Sequence, residues 1–139
     1  MTLSELQSRV IFQCNADEDD LSDYEPHLTA YINDGYSRLL YALVNYNLPD
    51  TLFPYLSEGT DSPKLPEWTH NAIADYATWL VYRNGNTQKQ SRGQVYLSRF
   101  LEVESKCKNM HGQMSVDATT GEITQTSTTP PQFTHVYYP

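Results

Sequence analysis

The apolar positions of this chain fall into four helical stretches and then lose their helical period. Thr2-Leu3-Ser4-Glu5 opens the first with a capping box, in which the hydroxyl of Thr2 and the carboxylate of Glu5 satisfy each other's backbone amides. Leu3, Leu6, Val10 and Ile11 then line one face as far as Gln13 or Cys14. Asn15 to Asp20 reads as a loop. A second helix is predicted from Tyr24-Glu25-Pro26, with Pro26 in the first turn, where its missing amide costs nothing. Its stripe of Leu28, Ile32, Gly35, Leu39 and Leu43 is widened by Tyr31, Tyr36, Leu40 and Val44, so this helix should be the most buried. A glycine in mid-stripe marks close approach of another helix, since Ala there would be more stable by about 1 kcal/mol. Asn45 and Asn47 weaken the helix and Pro49 ends it.

Leu48 to Leu65 is an ordered-looking loop, broken by Pro49, Pro54, Gly59 and Pro63, that can lay Leu52, Phe53, Tyr55 and Leu56 on the bundle. The third helix is predicted to begin at Pro66, with Trp68, Ala72, Ile73, Tyr76, Ala77, Leu80 and Val81 as its apolar residues. Asn84-Gly85-Asn86 ends it, with Gly85 suited to the left-handed position. The fourth runs from about Thr87 to Lys108, with Val95, Tyr96, Phe100, Leu101, Val103 and Cys107 inward and Gly93 weakening its first half. Beyond it, Met114-Ser115-Val116 and Glu122-Ile123-Thr124 read as a hairpin with Gly121 at the position needing positive φ. A polar linker, Gln125 to Pro131, leads to Phe133-Thr134-His135-Val136-Tyr137-Tyr138-Pro139. The expected fold is all-α: a four-helix bundle-like core over residues 1–108 and an extended tail over 109–139 containing a short β-hairpin.

Composition sharpens this picture. Hydrophobic residues make up 39% of the 139, below the usual 45–50% of a globular domain, so a small core is expected and a partner should help to order some segment. Eleven tyrosines against two tryptophans and four phenylalanines suit surfaces buried on one side and wet on the other. The net charge of −8 argues against sequence-independent gripping of a phosphate backbone. Six of the nine basic residues nevertheless lie between Arg83 and Lys108, whereas Asp17, Glu18, Asp19 and Asp20 crowd the first loop. This polarity suits head-to-side packing of identical copies, with Arg92 and Arg99 facing the acidic loop of a neighbour; an ordinary solvated helix face accounts for it equally well. Met1 to Val10 has neither the basic nor the apolar region of a leader, and the run Leu39–Val44 is far too short for a membrane span.

Candidate chemistry is sparse. Cys14 and Cys107 read as two buried thiols. The acidic loop lacks the glycine and the spaced carboxylates of an EF-hand. His111, four residues after Cys107, has no further ligands beside it. Asp75 and Glu67 read as a surface carboxylate pair, and Arg83-Asn84-Gly85-Asn86 as a turn and not a phosphate cradle. No catalytic constellation, metal or cofactor is expected. The aromatic end has no reason to stay in water, so Phe133, His135, Val136, Tyr137 and Tyr138 are the expected partner-binding residues, docking by edge-strand addition or pocket insertion.

The order Asp19-Asp20-Leu21, then Leu65-Pro66-Glu67-Trp68 and Ala72-Ile73-Ala74-Asp75-Tyr76-Ala77, resembles the head-tail adaptor (head completion, or connector) proteins of tailed bacteriophages. The resemblance covers about residues 2–108; Gly93, the long loop and the hairpin lie outside its pattern. It implies a structural virion protein of the neck region, assembled in the host cytoplasm. It also implies a homo-oligomeric ring, commonly of twelve copies, bound under the portal protein, gripping it with C-terminal segments and meeting a tail or stopper protein below. DNA would pass through the ring without specific binding. Two other classes stay open: a different virion part, such as a tail-completion or stopper protein, which is usually β-rich and which the four helical stretches speak against, and a small acidic helical binding module or inhibitor of a cellular protein.

Overall fold

The computed structural model describes residues 1–14, 18–44 and 52–125, with only the backbone of 18–20. Its helices are α1 (Leu3–Cys14), α2 (Glu18–Tyr24), α3 (Leu28–Val44), α4 (His70–Arg83) and α5 (Thr87–Met110). A two-stranded antiparallel hairpin follows, β1 (Met114–Val116) and β2 (Ile123–Gln125), with Val116 opposite Ile123 and Met114 opposite Gln125. The architecture is mostly helical and bundle-like, as the periodicity predicts. The expected end of the second helix at Asn45–Pro49 and the linker and aromatic segment after Gln125 lie outside the described residues.

Local chemistry explains most of the boundaries. The capping box forms as read: the Thr2 amide donates to Glu5 Oε1 at 3.1 Å and the Glu5 amide to Thr2 Oγ1 at 3.3 Å. These bonds favour the charged form and hold the Glu5 carboxyl below its ordinary pKa. The loop expected through Asp20 is shorter, because α2 already begins at Glu18. A 3-10 turn at Glu25–His27 carries Pro26 into α3. Another at Glu67–Thr69 stands between Pro66 and α4, so the third long helix starts four residues later than predicted.

Gly85 does not take the left-handed conformation; among the described glycines only Gly121 does, at φ 76°. α4 instead closes with a tight bond from the Gly85 amide to the Tyr82 carbonyl at 3.0 Å. Asn86 then caps α5, its side chain accepting from the Lys89 amide at 3.0 Å.

The core joins α1, α3, α4 and α5 through Leu6, Val10, Ile32, Leu39, Leu43, Ile73, Ala77 and Phe100. α3 crosses α4 at Gly35, where a Cβ would lie 3.2 Å from Tyr76 Cβ and 3.3 Å from the Ile73 carbonyl. Gly93 makes the equivalent contact for α5: a Cβ there would come within 2.9 Å of Tyr82 Cβ. It is a packing position, not a weak spot. The inward face of α5 is Gly93, Phe100, Glu104 and Cys107. Val95 and Leu101, expected inside, are 52% and 43% exposed. At 100° per residue they point away from the Gly93–Phe100–Cys107 line. Trp68, one of the apolar residues read at the start of the third helix, is 38% exposed.

The long loop lays Phe53, Leu56 and Leu65 on the bundle, but Tyr55 points out. Buried Asn33 anchors it through a reciprocal pair, donating to the Leu56 carbonyl at 3.0 Å and accepting the Leu56 amide at 2.8 Å. Lys64 Nζ then donates to the carbonyls of Leu52 (2.8 Å) and Thr120 (3.0 Å), joining the loop to the hairpin turn. Met114 and Ile123 pack against the core.

Candidate interaction surface

Three polar arrangements lie on or under the surface of this bundle. The first ties α3 to α5. Arg38 donates from Nε to Glu104 Oε2 at 2.9 Å and from Nη2 to Oε1 at 2.8 Å, while its guanidinium stacks on Tyr76 and Phe100, 5.3 and 5.0 Å from their ring centroids. Glu104 is buried and Lys108 Nζ stands 3.8 Å from it. This bidentate, stacked geometry is what arginine supplies and lysine does not.

The second ties the end of α1 to α4. Gln13 donates to Asp75 Oδ1 at 3.0 Å and accepts from the Thr78 hydroxyl at 2.7 Å. Tyr82 donates to the Cys14 carbonyl at 2.9 Å. Asp75 is therefore not half of a surface carboxylate pair. It is 7% exposed, and burial raises its pKa against the opposing pull of Gln13, Arg99 and Arg9. Glu67, by contrast, is exposed and lies 3.2 Å from the Met1 nitrogen.

The third is a cleft of about 340 Å³ where the end of α1, α2, the start of α3, the end of α4 and the start of α5 meet. Tyr24, His27, Tyr31 and Tyr82 supply rings, Val81 and Cys14 apolar surface, and Asp23, Lys89 and Arg92 charge. His27 and Tyr31 stack at 6.0 Å. The sequence reading did not single this cleft out. Its one legible signal is the spacing of Tyr24 and Tyr31, seven residues apart and so on one side of the chain as it enters α3.

The basic residues of α5 sit on its outer surface, several over aromatic rings. Arg99 lies 5.4 Å from the Tyr96 ring centroid and Lys106 4.5 Å from that of Trp68, while Arg83 of α4 covers Trp79 at 5.3 Å. Such stacking holds a cation outward while it shields part of the ring. Arg92 and Arg99, two of the expected inter-subunit residues, are both exposed and two turns apart, about 10.5 Å along the helix. Arg92 shares the cleft with Asp23 of the same copy, so this part of α5 already faces acidic α2 within one chain.

Of the remaining expected residues, Glu18, Asp19 and Asp20 fall on α2, whereas Asp17 and the partner-binding set Phe133, His135, Val136, Tyr137 and Tyr138 lie outside the described residues. Both cysteines are buried and neither is in a disulfide. Burial pushes Cys107 up to about 11. Among the described residues, no His, Cys, Asp and Glu side chains cluster closely enough to hold a metal ion, and no helix is long and apolar enough to cross a membrane.

No protein family matches this chain, and neither a curated protein nor a solved structure with significant similarity was found.

Proposed function

We propose that this chain is a structural virion protein, an adaptor that forms a ring of about twelve copies between the portal and the tail or stopper protein of a tailed phage. The observation that carries the reading is the charge layout of the bundle. Residues 83–108 hold six of the nine basic residues and two of the seventeen acidic ones. Arg92, Arg99 and Lys106 stand exposed along α5, while Asp23 and Glu25 are exposed on the other side of the cleft. Unlike charges in separate stretches of one small body favour heterologous contacts between identical copies, and these close into rings where the rotation between copies allows. The aromatic residues near position 135 add a segment that gains by burial in a neighbour. In this reading the chain is not an enzyme and needs no cofactor. Its channel wall is acidic or mixed, which repels the phosphate backbone and lets DNA slide.

Mixing the purified chain with a portal ring tests the reading. Light scattering and electron microscopy should show copies added as a ring at one end of the portal. A chain that leaves the portal bare contradicts it and favours the small binding module.

A further inference from the structure

The cleft between α2, α4 and the start of α5 has no role so far. We propose that it is the receptor for Tyr137 and Tyr138 of a second copy. This inference rests on the ring reading and names the partner of its aromatic segment. Three observations carry it.

The walls have the chemistry of a tyrosine site. Tyr24, His27, Tyr31 and Tyr82 offer ring faces and edges for a guest ring, and Val81 adds apolar surface. Asp23 can accept the hydrogen of a phenol, and Arg92 can lie over a ring face. The size also fits: about 340 Å³ falls within the range of small-ligand pockets, roughly 300–1,000 Å³.

The layout of the chain places the cleft and Gln125, from which the guest segment leads on, at opposite ends of α5. Gln125 sits beside Gln113 just past the end of α5, its side-chain amide 3.3 Å from Gln113 Oε1. The cleft lies at the start of α5, beside Arg92. From Arg92 to Met110 the helix rises about 27 Å. Residue 137 is twelve residues beyond Gln125, a reach of at most about 40 Å. A path to the cleft of the same copy takes about 27 Å, two thirds of that reach, before any detour around the bundle. A neighbour packed head to tail brings its cleft close to the place where the segment begins. Such a contact is heterologous and repeats from copy to copy, as a ring requires.

The test uses the full chain in two pools. One carries a nitroxide on Pro139→Cys in a Cys14→Ser background, leaving buried Cys107 unreactive and both guest tyrosines in place. The other is wild type, labelled with nitrogen-15. On mixing, amide signals of Tyr31, Val81 and Gly85 in the labelled pool should broaden. Arg92→Glu, an exposed change that leaves the core intact, should weaken the effect at least fivefold, and Tyr31→Ala with unchanged circular dichroism should remove it. Broadening elsewhere, no broadening at millimolar concentration, or broadening only when label and isotope share one chain overturns the proposal. Portal binding is read separately. A chain that binds the portal without this broadening loses only the cleft contact, and one that shows the broadening without portal binding loses only the adaptor reading.

Discussion

Gly93 shows how one residue sets the distance between two helices. On propensity alone, Gly93→Ala should stabilise α5 by about 1 kcal/mol. The structure reverses the sign, because the new Cβ would lie 2.9 Å from Tyr82 Cβ and 3.4 Å from Trp79 Cδ1. Neither is the far end of a flexible side chain. We expect Gly93→Ala to lower the unfolding free energy by about 1–3 kcal/mol, measured by denaturant titration; a more stable variant would place α5 farther from α4 than described. Arg38 makes a second residue-scale prediction. Its loss leaves Glu104 buried with only Lys108 at 3.8 Å. Arg38→Met should cost about 3 kcal/mol, and Arg38→Met with Glu104→Leu should recover most of it. Equal destabilisation by the single and the double variant would show that the ion pair itself is not the cause.

At the scale of elements, the apolar stripes of α1 and α3, the capping box and the hairpin with Gly121 were all readable in the sequence, because each depends on neighbours a few positions away. What was not readable depends on partners far along the chain. The burial of Asp75 needs Gln13, and the inward turn of Glu104 needs Arg38. Both take inward positions that a count of apolar residues assigns elsewhere, and this is why Val95 and Leu101 read as inward. The cleft was missed for the same reason, since five elements build it.

His70 gives this scale its pH prediction. It is 2% exposed, and its Nε2 donates to the Leu65 carbonyl at 2.9 Å, fastening the long loop to the first turn of α4. Burial, first, and the nearby Met1 amine hold its pKa below the ordinary value, against the Leu65 carbonyl and Glu67. Between the lowered native value and the unfolded value of about 6.5 the unfolded chain binds more protons, so stability rises with pH in that window and falls as pH drops through it. His70→Gln keeps a donor for the carbonyl and should remove this dependence. Melting temperatures of both proteins from pH 7.5 to pH 5 should converge at the acid end; parallel curves would mean that His70 does not titrate with unfolding.

For the whole molecule, the separation between folding and attachment is the main expectation. Ordering the aromatic segment costs roughly 1–2 kcal/mol per fixed residue, and each buried aromatic side chain returns on the order of 2–3 kcal/mol. Phe133, Val136, Tyr137 and Tyr138 should therefore carry the largest share of partner affinity. Deleting residues 132–139 should leave circular dichroism and cooperative melting nearly unchanged while abolishing attachment; loss of cooperative melting would make the segment part of the core.

The proposed adaptor role requires that the chain assemble on a partner and not by itself. Among the described residues, the exposed large apolar side chains Phe12, Tyr41, Tyr55, Trp68, Val95 and Leu101 are scattered and provide no broad apolar face for a stable free ring. Multi-angle light scattering of the chain alone, and then with a portal ring, addresses this most directly. The expected result is a monomer or weak oligomer alone and a gain of about twelve copies on the portal ring. A stable dodecamer of the free chain, or a portal peak that gains no mass, would contradict it.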